Sequence, residues 1–506
     1  MAQGLLPFQY EAESSSGGVT ALGGLPLYLD LIKASGLADA VRRHLRVAGD
    51  QGWLDVQMVV ALLALNLAGG DCVEDLERLE GDSGFAAVVR EVEGRLLGPA
   101  ERRFLKRRWR RERRRSLPSP CSLLAWLGRF HSQEEEGKRQ KGTAFIPAMT
   151  SQLAGLGLVN RALLGFLQSH RRERVATLDM DATLVESHKR QALYCYKKFK
   201  AYQPLNCWWA EQRVVLHSEF RDGNVPAGYE QLRVLKASLD EAAALGVEKV
   251  CLRSDAAGYQ QDLLLFCGEG QDPRFGVIEF AVSADVTPEF RAAVRQVKEV
   301  EWQPLVRRDA EGDCTTTDQE WAEVCYVPSW VGYSKKRADY RFLVIREPLR
   351  QLDLGDTDQL PFATEEFAAK GRYKLFAVVT NRTLPGDAVI WWLRERCGKS
   401  EEAHSVMKGD LAGGRMPSGL FGANAAWWAI MILAHNLNAA MKRLVLGSAW
   451  LTKRMKAVRF HLINLPGRVV RHARQLIVRV NAMGETLTLL LAARRTLQAL
   501  AQGPPG

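Results

Sequence analysis

The sequence predicts an α/β fold with a helical N-terminal region and a β-rich insertion. Three observations predict it. Apolar stretches of helical length, stopped by glycines, fill residues 25–135; from Arg174 short β-prone runs alternate with amphipathic stretches; and EVCYVPSW, YRFLVIRE and YKLFAVVT cluster between Pro304 and Asn381. At 506 residues the chain exceeds one ordinary core, so two or three lobes are expected.

Taken in order, residues 1–24 are polar and read as a flexible N-terminus. In the region 25–135, GWLDVQMVVALLALNLAGG offers Asp55 as an N-cap and stops at Gly69 and Gly70. Pro118 and Pro120 precede a short helix around Trp126, and 136–173 reads as linker and helix. In 174–300, strands are expected at Val175–Met180, Arg213–Phe220, Lys249–Ser254 and Gly276–Ala284. Helices are expected at Tyr229–Leu245, which buries Leu232, Leu235 and Leu239 and stops at Gly246, and at Tyr259–Phe266.

Residues 301–384 carry the β-rich runs and read as a sheet inserted into the α/β unit. The unit resumes over 385–445 with a helix that begins near Asp387 and contains Glu401. The apolar stretch Ala425–Ala434 is followed by His435, Asn436 and Asn438 and is too short for a membrane span of roughly 18 residues or more, so it reads as a core helix. A basic region, 446–506, ends in a helix near Glu485–Leu500.

Lysine and arginine number 69 against 58 acidic residues, a net charge of +11, which favours a polyanionic partner without identifying it. Nine scattered cysteines without a C-x-x-C pair point to free thiols in a reducing compartment. No secretory signal pattern or membrane span is legible, so a cytoplasmic protein without a membrane partner is expected. The segment Arg102–Arg115 holds ten basic residues and one acid, with Phe104 and Trp109 interleaved. A solvated surface segment is the plainer account of a charge run. Cations this dense repel one another unless an anion lies alongside, so Arg107, Arg108, Arg110, Arg111, Arg113 and Arg114 are candidates for contact with the DNA backbone.

VATLDMDATLVES places Asp179 and Asp181 at the C-terminal end of the first strand of the α/β unit, VCLRSDAAGY ends another strand on Asp255, and CGKSEEAHSVMKGD carries Glu401 and Lys408. Hard oxygen ligands on separate elements suit divalent cations. Two Mg²⁺ ions about 3.5–4 Å apart can activate an attacking hydroxyl and stabilise a leaving oxygen. On a helix of about 3.6 residues per turn, Glu401, His404, Ser405 and Lys408 share a face, whereas Glu402 points about 100° away. An ordinary amphipathic helix with a polar face would show the same spacing. No H-x-x-x-H pairing supports a zinc site around His188, His217 or His404.

Asp-x-Thr (Asp181, Thr183), Arg-x-Asp-x-x-x-Tyr (Arg253, Asp255, Tyr259) and Gly-Lys-Ser-Glu-x6-Lys (Gly398 to Glu401, Lys408), followed by GGRMPSGLFGANAAWWAIMILAHNLN, resemble bacterial insertion-sequence DDE transposases, and among them the insertion-sequence 1380 family of the insertion-sequence 4-like group. The resemblance runs from about residue 20 to residue 480. It implies an RNase H-like catalytic domain interrupted by the β-rich insertion, with 25–135 as a helical DNA-binding region. It also implies cut-and-paste transposition with two Mg²⁺ ions, Mn²⁺ being an alternative. By the same resemblance Asp181, Asp255 and Glu401 form the metal-binding catalytic triad and Lys408 is the family's trailing lysine; Asp179, beside Asp181, and His404, on the face of Glu401, are expected to support the site. The implied partners are double-stranded DNA, both terminal inverted repeats and target, and a second copy in a homodimeric synaptic complex; the implied location is the bacterial nucleoid. In one respect the chain departs from the group's pattern: the spacing that should give a Tyr and an Arg before the Glu lands on Arg394 and Cys397, with Trp392 and Arg396 out of register.

Asp-x-Asp-x-Thr also resembles the first motif of haloacid-dehalogenase-like phosphohydrolases, which would make Asp179 a nucleophile. Ala182 stands where that motif has Gly, and Lys408-Gly409-Asp410 only faintly echoes its later acids. A catalytically inactive DNA-binding protein is the third reading, and the joint presence of three acids and Lys408 argues against it.

Overall fold

The computed structural model describes residues 18–49, 52–107, 115–308, 314–328, 340–349, 362–367, 371–396, 399–473, 475–481 and 484–502. Arg108, Arg110, Arg111, Arg113 and Arg114 of the basic run, and Cys397, lie outside the described residues; of Arg107 only the backbone is described.

The N-terminal third is mainly helical: α1 Pro26–Ala34, α2 Leu37–His44, α3 Asp55–Ala68, α4 Leu76–Gly81, α5 Ser83–Leu96, α6 Pro99–Arg107, α7 Pro120–Gly128, α8 Gln133–Gly137 and α9 Ser151–His170. Helix α3 is buried from Val56 to Leu67, as its unbroken apolar sequence requires. Asp55 is its first residue and Leu54 its N-cap. The Asp55 carboxylate instead accepts the Val47 and Ala48 N–H groups and the Trp126 indole N–H, which ties α3 to α7.

The N-terminus is ordered earlier than residue 25. Val19–Thr20 forms β1, which pairs with β15 (Gly467–His472), itself in a hairpin with β16 (Gln475–Val480). This long-range pairing leaves no local signature in a two-residue strand.

The remaining strands are β2 Val175–Ala182, β3 Val185–Glu186, β4 Leu193–Tyr194, β5 Lys200–Tyr202, β6 Leu205–Trp209, β7 Val214–Glu219, β8 Lys249–Ser254, β9 Glu279–Ala284, β10 Gln303–Arg308, β11 Cys314–Val324, β12 Arg341–Pro348, β13 Thr364–Phe367 and β14 Gly371–Thr380. β3, β4 and β5 make a small sheet of their own. The others form one ten-stranded mixed sheet in the order β10-β11-β12-β14-β9-β8-β2-β6-β7, with β13 on β14. β2, β8 and β9 run parallel; β6 is antiparallel to β2, and β7, antiparallel to β6, points the same way as β2. The strands of residues 301–384 do not close into a sheet of their own. β14 pairs antiparallel with β9 and carries the rest as an extension of the main sheet. Side-chain alternation specifies strands but not which distant edge they join.

α10 Gln231–Ala244, α11 Gln261–Gly268 and α12 Pro288–Val294 connect the first strands; α13 Gly386–Arg394, α14 Lys399–Ser405, α15 Phe421–Ala440, α16 Met455–Val458 and α17 Gly484–Leu500 complete the chain. The single helix expected from Asp387 through Glu401 is two, α13 and α14, with Arg396 between them. α15 is the central helix, buried along nearly its whole length against α3, α7, α9 and β7. Its three asparagines each find a partner: Asn436 accepts the Val215 N–H and donates to the Val215 carbonyl and Asn160; Asn438 accepts from Tyr28; Asn424 donates to Tyr202. A bonded polar group can be buried where a bare one cannot. No single helix among the described residues is long and apolar enough to cross a membrane.

Candidate active site

The parallel register of β2 and β8 pairs Met180 with Ser254, so the next residue of each strand is an aspartate, Asp181 beside Asp255. Both are half-buried. Asp255 accepts the Ala257 N–H at 3.1 Å and so starts the turn after β8. Burial holds its carboxyl above the ordinary range; the Arg396 guanidinium opposes that shift, and the Asp181 charge adds to it.

Asp179 lies on the same face of β2 but one step inside, where both it and Arg253 are 1 % exposed. Its two oxygens accept from Arg253 Nε and Nη2 at 2.6 and 2.9 Å. Arg253 also donates to the Trp392 carbonyl and to Glu395. One buried guanidinium thus joins β2, β8 and α13, and a carboxylate bonded through both oxygens is no nucleophile. The phosphohydrolase reading fails at this residue.

Arg396 and His404 surround Asp181. Arg396 Nη1 is 3.2 Å and His404 Nδ1 3.7 Å from Asp181 Oδ2. His404 Nε2 is 3.1 Å from the Asn206 amide nitrogen, and Asn206 Oδ1 accepts the Ser218 hydroxyl. With that oxygen occupied, the Asn206 amide N–H points at Nε2, which places the imidazole proton on Nδ1, facing Asp181. Burial pushes the His404 pKa down to about 4, with Lys408 and Arg396 adding to the effect, so the ring is neutral.

Glu401 lies in the first turn of α14 and is exposed. Among the described residues, the ligand atoms of Asp181, Asp255 and Glu401 do not all lie within 4.8 Å of one another. Nor do Glu401, His404, Ser405 and Lys408 share one face. His404 is buried against Asp181, while Ser405 is exposed and accepts from Arg454. The chain becomes π-helical over Val406–Asp410, which shifts the phase before Lys408. Lys408 Nζ donates to the Leu184 carbonyl at 3.2 Å, and burial lowers its pKa although the Asp181 charge opposes this. Glu402 lines a different cleft.

Sequence reasoning passed over Arg396 because it is out of register with the family spacing, and Asn206 because an isolated Asn on a strand carries no motif. The break between α13 and α14 is the feature that frees Arg396 to turn toward Asp181. Asp71, Cys72 and Asp75 do cluster closely enough to ligate an ion, but Asp75 is occupied as a cap that accepts the Asp71 and Cys72 N–H groups.

A family model described as Transposase DDE domain group 1 matches residues 9–502. No curated protein matches the chain. Among solved structures, a cryo-EM piggyBac transposase synaptic complex with hairpin DNA is similar at 9% identity and a TM-score of 0.34, covering 88% of this chain and 81% of that one.

Proposed function

We propose, on the premise that this chain belongs to the Transposase DDE domain group 1 family, that it moves an insertion sequence by cut-and-paste transposition, through metal-dependent phosphodiester hydrolysis and strand transfer at Asp181, Asp255 and Glu401. The protein is a DNA transposase, an enzyme acting on DNA. The observation that carries the finer reading is that Asp181 and Asp255 each follow the last paired residues, Met180 and Ser254, of the parallel strands β2 and β8. The strand order β9-β8-β2-β6-β7, with β6 alone reversed among the five, supports an RNase H-like catalytic domain. The motif resemblance supports the insertion-sequence 1380 family, and with it a bacterial cytoplasmic setting, terminal inverted repeats and target DNA as substrates, and a homodimeric synapse.

DDE transposase domains use divalent metal ions. The residues present fit one: Asp181 and Asp255 are hard oxygen donors on one sheet edge, and a cation between them would relieve their repulsion. When bound, two Mg²⁺ ions would supply Lewis acidity for the attacking and leaving oxygens of the phosphodiester. The chain's own residues orient that centre. Asp179 and Arg253 fix the register of β2 on β8; His404 directs its Nδ1–H at Asp181; Arg396 and Lys408 add positive charge where a DNA phosphate must approach. In this reading Glu401 completes the ligand set from α14, and the arginines of residues 107–114 hold the DNA backbone.

Calorimetric titration with Mn²⁺ tests the site. Wild type should bind, and Asp181→Asn or Asp255→Asn should weaken binding at least tenfold; unchanged binding in both variants would remove the aspartates from the metal site.

A further inference from the structure

A cleft of about 510 Å³ adjoins the acidic site and shares Trp208 and Ala403 with it. From there it runs beneath α14 to the turn after β6 and the segment that follows α15. Arg213, Lys442, Arg443, Lys453 and Arg454 line it, against the two acids Glu211 and Glu402. Glu211 is occupied by the Thr177 N–H and hydroxyl. Arg443 pairs with Glu173 and Arg454 with Asp410, both at 3.1 Å. The other three cations have no such partner. Arg213 donates to the Leu451 carbonyl, Lys442 donates to the Leu451 and Lys453 carbonyls, and Lys453 lies 4.7 Å from the Trp450 ring centroid. Among the described residues none of these three meets a carboxylate at ion-pair distance.

A second observation lies deeper in the same cleft. His435 is 9% exposed and lines the wall edge-on to Trp208, and neither of its ring nitrogens is bonded to another side chain. Three cations without a carboxylate partner, converging with a buried imidazole on one concavity, suit an anion with several acceptor oxygens. Burial lowers the Lys442 pKa, a shift that an adjacent anion would reverse.

We propose that this cleft seats one backbone phosphate of the DNA strand undergoing cleavage, held by Arg213, Lys442 and Lys453, and so sets the register of that strand on Asp181 and Asp255. The proposal rests on the DNA-transposase function. It adds a non-scissile phosphate site and assigns residues to it. A phosphodiester fits the chemistry because it offers a single charge and two free oxygens, and the shared wall at Trp208 and Ala403 sets the cleft directly beside the acidic site.

The test is the salt dependence of duplex binding by full-length protein, read by fluorescence anisotropy with Ca²⁺ in place of Mg²⁺. Each phosphate contact contributes about 0.9 to the slope of log K against log salt concentration. Arg213→Gln with Lys453→Gln should lower that slope by about 0.9. Lys236→Gln with Lys298→Gln, two exposed lysines away from the cleft, should leave it unchanged. Melting curves check the fold of each variant, and Lys453→Gln alone serves if the double variant does not fold. An unchanged slope in the cleft variant, or an equal fall in the control, overturns the proposal. So does a cleft that takes free anion only, seen as inorganic phosphate raising the melting temperature of wild type but not of the variant while the DNA slope stays the same. Failure here is separable from failure of the active-site reading, which is decided by metal binding and cleavage in Asp181 and Asp255 variants.

Discussion

Asp179 and Asp181 are two residues apart on one strand face, yet their surroundings differ: Asp179 is sealed against Arg253, and Asp181 opens toward Arg396 and His404. The motif places both at a strand end, but one step of depth decides which is structural, and depth is set by Arg253 on another strand. Asp179→Asn should leave a buried guanidinium short of its counter-charge and lower stability by about 3–5 kcal/mol in urea unfolding, while Asp181→Asn should change it by less than about 1 kcal/mol. Equal stabilities would refute the division of roles. A second residue-scale prediction concerns Asp222, buried beside Arg139 at 2.7 Å, with a pKa that burial raises from 3.8 to about 6 although Arg139 opposes the shift. A folded pKa above the unfolded one means that ionising the group destabilises the fold. The penalty is absent below about pH 3.8 and complete above about pH 6. Relative to wild type, Asp222→Asn should therefore gain of order 3 kcal/mol between pH 4 and pH 7. A pH-independent difference in unfolding free energy would contradict it.

Periodic patterns locate most elements. The helix expected at Tyr229–Leu245 is observed at Gln231–Ala244, and the one expected at Glu485–Leu500 at Gly484–Leu500, because an apolar face of about 3.6-residue period is written locally. The interruption between α13 and α14 and the π-helical turn at Lys408 are not, since helix propensity alone would run straight through 387–410. The β14–β9 pairing joins residues about a hundred positions apart, which no local pattern encodes. Of the candidate site, both aspartates and their strands are legible in the sequence, whereas Arg396 and Asn206 become visible only when tertiary contacts place them. α15 shows what its asparagines do: Asn436→Leu would leave the Val215 N–H without its acceptor and Asn160 Oδ1 without its donor and should lower stability by about 3 kcal/mol. Thermal or urea unfolding equal to wild type would show that these bonds do not matter.

At the scale of the whole molecule, α15 packs the N-terminal helices onto the sheet, and the sheet edge presents Asp181 and Asp255 beside a cationic cleft. The net charge of +11 becomes informative only when placed this way, as positive surface next to an acidic centre that a polyanion must reach. In the proposed function this edge cuts DNA with the help of divalent metal. Its most direct measurement is Mg²⁺-dependent strand cleavage of a DNA carrying the element's ends, comparing wild type with Asp255→Asn at matched DNA occupancy. Wild type should cleave and lose cleavage when Mg²⁺ is chelated, and Asp255→Asn should bind the DNA but cut it at least a thousandfold more slowly, roughly 4 kcal/mol of lost transition-state stabilisation. Cleavage by Asp255→Asn at the wild-type rate would contradict the account.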